Sequence, residues 1–204
     1  MGYTAIIDYG VGNLKSVSNA LAYLGVDSEI TGDPCRLELA DAIILPGVGA
    51  FPDAADKLRE SGLEQILLRQ AGNKPILGIC LGMQLLFQWG KEGRRCEGLG
   101  LISGGVRRIE TDLKLPHIGW NSLTFPRPSP LFRGLDEGCC VYFVHSFCGH
   151  TEDPDQEAAV TDYGGPVLAA VQDAARGVFG CQFHPEKSGE TGLAILQNFA
   201  ALNR

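Results

Sequence analysis

The sequence has no long apolar run, no cluster of basic residues and no paired-cysteine motif. Although 45% of its 204 residues are hydrophobic, no apolar stretch approaches the roughly 20 residues that a membrane-spanning helix needs. The first residues also lack the basic start, apolar middle and small-residue cleavage site of a signal peptide. We therefore expect a cytoplasmic protein without a membrane anchor.

Basic residues are too few and too scattered to form a surface for nucleic acid. The chain has 17 Lys and Arg against 24 Asp and Glu, which gives a formal net charge of −7. Binding to a phosphate polymer is driven mainly by cationic side chains that release counterions. Nucleic acid is therefore not an expected partner.

Cysteine usage argues against a disulfide framework and against a zinc ribbon. The number of cysteines is odd, and no two of them have the C-x-x-C spacing. Most of these thiols are expected to be reduced and to pack as small hydrophobic side chains, and no metal site is predicted. The seven cysteines are Cys35, Cys80, Cys96, Cys139, Cys140, Cys148 and Cys181.

The first half of the chain alternates between apolar runs typical of buried strands and segments with helical spacing. We predict strands over residues 3–8, 27–31, 41–45 and 75–79, and helices over 17–24, over 53–70 with a break near Gly62, and over 81–89. Short links between strands and helices favour a parallel sheet covered on both faces, because each parallel crossover must return across the sheet.

The second half, from Gly98 onward, changes to short segments rich in β-forming residues. These are residues 118–125, 140–147, 158–161, 167–172 and 178–183, followed by an amphipathic helix over 189–202. The predicted fold class is α/β: a flavodoxin-like, doubly wound, mostly parallel central sheet with helices on both faces and an antiparallel extension of that sheet in the C-terminal half. The length fits a single domain, residues 1–204.

Cys80 lies between glycines at the point where a predicted buried strand meets a helix, in Gly78-Ile79-Cys80-Leu81-Gly82. A tight strand-to-helix turn of this kind, a nucleophile elbow, pushes the central side chain out above the sheet. The helix N-terminus beside it favours a reactive thiolate. The alternative is an inert core cysteine, because buried cysteines are common and glycines often end strands.

His184 and Glu186 are the candidate partners of this thiol. They flank Pro185 after the predicted strand 178–183, and residues two apart in an extended chain project to the same side. The carboxylate would then hold one imidazole nitrogen while the other nitrogen faces the thiol. Taken alone, His184 would equally be a surface or capping histidine.

A third feature is the glycine-rich segment Pro46-Gly47-Val48-Gly49 after the strand predicted over 41–45. Its glycines permit backbone conformations closed to other residues and expose N–H groups to a ligand. Near a thiolate, such groups would stabilise a tetrahedral oxyanion together with the N–H of Leu81. An ordinary turn is the alternative.

Together these motifs resemble the class I, triad-type glutamine amidotransferases, with GICLGMQLLF around Cys80 and HPE at 184–186. More narrowly, IIDYGVGNLKSV, LPGVGAF, PHIGWN at 116–121, YFVHSF at 142–147 and HPEKS at 184–188 resemble the glutaminase subunits of imidazole glycerol phosphate synthases. The resemblance runs the length of the chain.

The resemblance implies a catalytic triad. Cys80 would attack the carboxamide carbon of glutamine and form a γ-glutamyl thioester that water cleaves. His184 would protonate the departing ammonia and then activate the water, and Glu186 would orient His184. No cofactor is implied.

The resemblance also assigns residues to the substrate. Gln84 would help to hold glutamine, and His145, Ser146 and Phe147 match the stretch that contacts its amino-acid end mostly through the backbone. The peptide of Val48 would have to reorient before the oxyanion hole is complete. The subunit would then stay nearly silent until its partner binds.

The implied partner is a cyclase subunit with a (β/α)₈ barrel. It consumes ammonia to build imidazole glycerol phosphate and an aminoimidazole carboxamide ribotide, and the two subunits form a heterodimer. By the same resemblance, Asn13, Trp120 and Lys187 lie near the interface.

Three other functions fit parts of the sequence. One is a glutaminase for anthranilate, aminodeoxychorismate or pyridoxal phosphate synthesis, against which the GVGN, HIGWN and HPEKS segments count. A second is a cysteine peptidase or esterase with a similar elbow. The third is a non-catalytic flavodoxin-like binding module, although Gly10-Val11-Gly12 is followed by Lys15 where a dinucleotide fingerprint has its third glycine.

Overall fold

A seven-stranded sheet forms the centre of the computed structural model, which describes residues 2–203. The strands are β1 (Thr4–Ile7), β2 (Ser28–Thr31), β3 (Ala42–Gly47), β4 (Ile76–Cys80), β5 (Phe87–Glu92), β6 (Arg94–Glu97), β7 (Ile102–Arg108), β8 (His117–Ser122), β9 (Cys140–His145), β10 (Phe147–His150), β11 (Glu157–Asp162), β12 (Pro166–Asp173) and β13 (Val178–Cys181). The helices are α1 (Leu14–Tyr23), α2 (Pro34–Leu39), α3 (Phe51–Glu60), α4 (Leu63–Gln70), α5 (Leu81–Leu85) and α6 (Gly189–Ala200). Short 3₁₀ turns occupy Pro130–Phe132, Pro154–Gln156, Pro185–Lys187 and Ala201–Asn203.

The central sheet has the strand order β11-β12-β13-β4-β3-β1-β2. The five strands from β13 to β2 are parallel, and β12 and β11 continue the sheet in antiparallel fashion. This arrangement confirms the predicted flavodoxin-like α/β fold with its antiparallel extension. The carboxyl ends of β3, β4 and β13 therefore meet at one edge, where open sheets of this kind bind ligands.

Apolar side chains of the central strands alternate between two cores. Ile43 and Leu45 of β3 belong to a core that α2, α3, α4 and α5 cover, whereas Ile44 belongs to a core covered by α1 and α6. A strand buried on both faces is apolar at nearly every position, which is why these strands are visible as continuous runs. Among residues 2–203, no helix is both long and apolar enough to cross a membrane.

Two smaller sheets lie outside the central one, which corrects the prediction that every C-terminal strand extends it. One has the order β10-β7-β5-β6 and the other pairs β8 with β9. Phe87 and Ile102 of the first sheet pack on the side of α2 to α5, and Val141 and Phe143 of the second on the side of α1 and α6. Of the strands after Gly98 within residues 2–203, only β11, β12 and β13 join the central sheet.

The helix predicted over residues 81–89 is wrong beyond Leu85. The chain enters β5 at Phe87, and Trp89 pairs with both β6 and β7. A short apolar run is compatible with either a helix or a strand, so pairing with distant strands decides its state. The six-residue helix α2 was not predicted; its N-terminus is capped by the Asp33 side chain, which accepts from the N–H of Cys35.

Candidate active site

Cys80 occupies the turn between β4 and α5 in an unusual backbone conformation. Its φ is 55°, and among residues 2–203 it is the only non-glycine residue with positive φ. Such a conformation costs about 1–3 kcal/mol and persists only where the surrounding structure imposes it. A Cβ at Gly82 would collide with the carbonyl oxygen of Leu45, so glycine there lets the helix start close against β3. The turn places the thiol at the carboxyl edge of the sheet.

His184 and Glu186 reach this thiol from the neighbouring strand. β13 lies parallel to β4 with Cys181 opposite Ile79, so the residues that follow both strands meet at the same edge. The Nδ1 of His184 lies 2.8 Å from Oε1 of Glu186, and His184 and Cys80 line the same cavity, close enough for the thiol to affect the pKa of the ring. The two side chains are only 4% and 1% exposed. The structure thus brings the three residues together, with His184 hydrogen-bonded to Glu186.

The surroundings of His184 favour its protonated form. Burial by itself lowers the pKa of this imidazole, but the neighbouring Cys80 and Glu186 side chains raise the pKa to about 9. The second oxygen of Glu186, Oε2, is buried and has no hydrogen-bond partner. This carboxylate therefore depends on His184 to offset its charge.

The glycine-rich segment beside the thiol is anchored at both ends. At its start, the Tyr9 hydroxyl donates to the carbonyl of Pro46 over 3.0 Å. At its end, the N–H of Phe51 donates to Oε2 of Glu92 over 2.8 Å. Glu92 thereby supplies an acidic cap to the N-terminus of α3 from a separate strand.

The predicted oxyanion residues lie in and behind this segment. Val48, Gly49 and Leu81 line the space in front of the thiol, and Gly49 has a φ of 102°, which glycine adopts without strain. Gly47 pairs with Cys80 across β3 and β4 and lies behind that space. A Cβ on Gly47 would press on Leu81, so its absence allows the elbow and the segment to approach each other.

A cavity of about 420 Å³ opens beside the triad. Its size is within the usual range for sites that bind small molecules. Its lining residues are Val48, Gly49, Cys80, Leu81, Gln84, Glu92, Pro116, Val144, His145, Ser146, Phe147, His184 and Lys187. In the described part of the chain, residues 2–203, no group of three or more His, Cys, Asp or Glu side chains could hold a metal ion.

Gln84 is a buried part of the cavity wall, only 4% exposed. Its Nε2 donates to the carbonyl of Phe147 and to Oε1 of Gln182, both over 3.0 Å. The fully buried Gln182 points its own Nε2 at the sulfur of Cys80 over 3.8 Å. Sequence reasoning missed Gln182, although its place two residues before His184 on the same strand end was a usable signal.

His145, Ser146 and Phe147 form one wall of the cavity. Behind them, Nε2 of His145 lies 3.1 Å from Nδ1 of His117, a fully buried residue that sequence reasoning also missed. Burial lowers the pKa of His145 to about 4. Glu92, the third missed residue, stands outside every motif in the sequence and enters the site only because β5 folds beside α3.

The three predicted interface residues differ in their exposure to solvent. Lys187 lines the cavity and is exposed. Trp120 is 56% exposed, and its ring lies beside Gly189. Asn13 is the partly buried N-cap residue of α1 and is not among the residues that line the cavity.

Comparison with known proteins identifies a family and close relatives for this chain. The family model for class-I glutamine amidotransferases matches residues 5–202. The imidazole glycerol phosphate synthase subunit HisH of Caldanaerobacter subterraneus subsp. tengcongensis is 50% identical over 198 residues, which cover 97% of this chain and 97% of the relative. The HisH subunit of Bacillus cereus is 49% identical over 197 residues, which cover 96% of this chain and 92% of the relative.

Solved structures with lower identity share the fold. PurLQS from Thermotoga maritima superposes with a TM-score of 0.79 at 20% identity, covering 100% of this chain and 99% of that one. The crystal structure of another protein, a glutamine amidotransferase, superposes with a TM-score of 0.76 at 19% identity, covering 99% of this chain and 99% of that one.

The raised pKa of His184 makes stability depend on pH in a defined direction. Because the folded-state pKa of about 9 exceeds the ordinary 6.5, the stabilisation is fully present below pH 6.5 and is lost as pH rises through 9. Glu186→Gln removes the charge and keeps a hydrogen-bond acceptor. Between about pH 6 and about pH 10, we expect the unfolding free energy to fall by about 2 kcal/mol more in the native protein than in this variant.

The measurement is denaturant unfolding at a series of pH values, with the His184 ring titration followed by NMR in both proteins. Parallel stability profiles, or an unchanged His184 pKa in Glu186→Gln, would show that Glu186 does not raise the pKa of this imidazole.

Proposed function

This chain belongs to the class-I glutamine amidotransferase family, and we propose that it is the glutaminase subunit of an imidazole glycerol phosphate synthase. Residues 1–204 act as one cytoplasmic amidotransferase domain, which hydrolyses glutamine to glutamate and ammonia for histidine biosynthesis. The observation that carries the proposal is the placement of Cys80 and His184 at one cavity, with His184 hydrogen-bonded to Glu186.

The first step forms a bond between the sulfur of Cys80 and the carboxamide carbon of glutamine. The His184 imidazolium stabilises the thiolate that attacks. Negative charge moves to the amide oxygen, where backbone N–H groups of Leu81 and of residues 47–49 stabilise it. His184 then gives its proton to the leaving nitrogen, so that ammonia departs and a γ-glutamyl thioester remains.

Water completes the cycle by hydrolysing the thioester. His184, now neutral, takes a proton from the water whose oxygen attacks the thioester carbon. The carbon–sulfur bond breaks, glutamate leaves, and the thiolate and imidazolium return. Glu186 keeps the ring oriented throughout and offsets its positive charge.

The cavity offers a partner for each charge at the amino-acid end of glutamine. Among the lining residues in the described part of the chain, Glu92 is the only acidic side chain, and it faces the α-ammonium group. The wall of His145, Ser146 and Phe147 lies beside the α-carboxylate. Gln84 holds this wall in place through its hydrogen bond to the carbonyl of Phe147.

The surface proposed for the partner combines exposed side chains of β8 with the cavity-lining Lys187. Ile118 and Trp120 alternate on β8 and are 57% and 56% exposed. The Trp120 ring lies beside Gly189, close in sequence to the cavity-lining Lys187. An exposed aromatic side chain suits the centre of a protein interface. A (β/α)₈ cyclase subunit docks here as a heterodimer, receives the ammonia and turns the Val48 peptide into its active orientation.

The catalytic assignment predicts a severe loss from two single substitutions. Cys80→Ala and His184→Ala each lower glutamine hydrolysis by roughly 10⁴-fold or more, because members of a triad act as a unit. The measurement is glutamate release in the complex with the cyclase, and binding of the cyclase is retained. Cys96→Ala, which removes another buried thiol, is the matched control and keeps its activity. A loss of only severalfold in His184→Ala would point to a different base.

Glu92 is predicted to bind the substrate through its charge. Glu92→Gln can still accept the N–H of Phe51, so the glycine-rich segment keeps its anchor, but the charge opposite the α-ammonium group is gone. A charge-assisted hydrogen bond contributes about 1.5–3 kcal/mol, so we expect KM for glutamine to rise about tenfold or more with kcat little changed. The exposed Glu97→Gln serves as control. An unchanged KM in Glu92→Gln would remove this assignment.

The partner assignment predicts weak glutaminase activity alone and strong stimulation by the cyclase with its ribonucleotide ligand. Trp120→Ala should weaken binding of the cyclase by about tenfold or more, because a buried aromatic anchor contributes about 2 kcal/mol or more to an interface. Tyr23→Ala, at an 80% exposed aromatic residue on α1, should bind normally. The measurement is titration of the activity with cyclase. Lack of stimulation in the native protein would refute the assignment of the partner.

A further inference from the structure

Two buried histidines face each other behind the cavity wall. His117 of β8 and His145 of β9 are register partners in the antiparallel pair. Nδ1 of His117 lies 3.1 Å from Nε2 of His145, and the residues are 0% and 7% exposed. A hydrogen bond joins these two nitrogens only if one of them carries a proton.

The outer nitrogen of His117, which is Nε2 and faces away from His145, is a hydrogen-bond donor. It lies 2.9 Å from Oδ1 of Asn121, and the orientation of that amide is set by its other end. Nδ2 of Asn121 donates to the carbonyl of Asp162 over 3.0 Å, which leaves Oδ1 to face the ring. Because an amide oxygen only accepts, Nε2 of His117 holds a proton.

The outer nitrogen of His145 is also a donor. Its Nδ1 lies 2.8 Å from the carbonyl oxygen of Phe147, and a carbonyl oxygen only accepts. The same carbonyl accepts the amide of Gln84, so its position is fixed from two sides.

The N–H groups that these hydrogen bonds require imply a positive charge on the two rings. A neutral imidazole has one N–H, and both rings already use theirs on the outer side. Two neutral rings would therefore bring two lone pairs together in the buried gap between His117 and His145, an arrangement that burial makes costly. One further proton in that gap converts the contact into a hydrogen bond.

We propose that His117 and His145 share this proton as a buried imidazole–imidazolium pair, and that its positive charge favours the α-carboxylate of glutamine in the adjacent cavity. The first part rests on geometry alone, and the second rests on the proposed function. Both residues act on substrate binding through charge.

Burial, nearby charges and neighbouring aromatic rings set the free energy of holding a positive charge on this pair. Burial lowers the pKa of both rings. The hydrogen bond to the Phe147 carbonyl raises the pKa of His145, whereas positive charge on His117 or His184 lowers it further. Against this, the ring of His117 is stacked between Tyr163 at 3.9 Å and Phe143 at 4.7 Å. The electron-rich faces of aromatic rings attract a cation, most strongly where water is excluded. Sharing one proton also spreads the charge over two rings.

The pair lies where its positive charge can act on the α-carboxylate of glutamine. His145 lines the cavity, as do Ser146 and Phe147. The other basic residue of this lining outside the triad is Lys187, which is exposed and so is screened by water and salt. A charge buried behind the wall is screened much less, so it acts on the carboxylate more strongly.

The protonation state is measured by NMR on the native protein labelled with ¹⁵N-histidine. The chain has four histidines, so single substitutions assign every ring. At neutral pH we expect three protons on the four ring nitrogens of the pair, with both outer nitrogens protonated. One proton on each ring would overturn the proposal. This reading needs no enzymatic activity, so it is independent of the proposed function.

The effect on the substrate is measured with His117→Phe, which keeps an aromatic ring in the stack and removes the shared proton. In the complex with cyclase, we expect KM for glutamine to rise about tenfold, while inhibition by L-glutamine α-methylamide, which has no α-carboxylate, is unchanged. His150→Phe, at a half-buried histidine outside the cavity lining, is the control and changes neither.

Equal weakening of both ligands in His117→Phe would mean that His117 only supports the wall, and would overturn the role of the charge. If this variant does not fold, His117→Gln is used with the same two ligands. A native protein that hydrolyses no glutamine with cyclase would refute the proposed function and leave the NMR result on the pair standing.

Discussion

The left-handed turn at Cys80 is the constraint on which the site depends. A non-glycine residue at a φ of 55° is unfavourable by itself, so its neighbours must hold it. Gly82 does so by allowing α5 to begin against the carbonyl of Leu45, closer than any side chain would permit. The result is a thiol at the carboxyl edge of a parallel sheet and at the start of a helix. Every other group of the site is placed relative to that sulfur.

Sheet register brings the remaining groups to the turn. Because β13 lies parallel to β4, the residues after both strands meet, and His184 arrives beside the sulfur with Glu186 behind it. Gln182 on the same strand end connects the sulfur to Gln84, and Gln84 connects to the cavity wall at Phe147. A shift of register by one residue would turn these side chains to the opposite face. The catalytic residues and the wall are therefore positioned by one set of strand pairings.

The acidic side chains of the site each have a partner that binds them or offsets their charge. Glu186 is buried and is offset by the protonated His184, whose pKa is raised in return. Glu92 caps α3 while it faces the cavity, so one carboxylate anchors the glycine-rich segment and is placed to bind the proposed substrate. The proton proposed to be shared by His117 and His145 would supply the opposite sign on the other wall. Buried charges of both signs suit a zwitterionic ligand, because each end of the ligand replaces the water that it loses on binding.

The sequence by itself determined the features that depend on local chemistry. The apolar runs of β3 and β4, the break between α3 and α4 at Gly62, and the glycines around Cys80 are all visible in short windows, and they predicted the fold and the candidate nucleophile. Only the tertiary structure decided that the chain after Leu85 becomes a strand, because its pairing partners are distant in the sequence. The same holds for Glu92 and His117, whose neighbours in space come from other strands. A side chain's role is readable from sequence when its own segment creates its environment, and it stays hidden when long-range packing does.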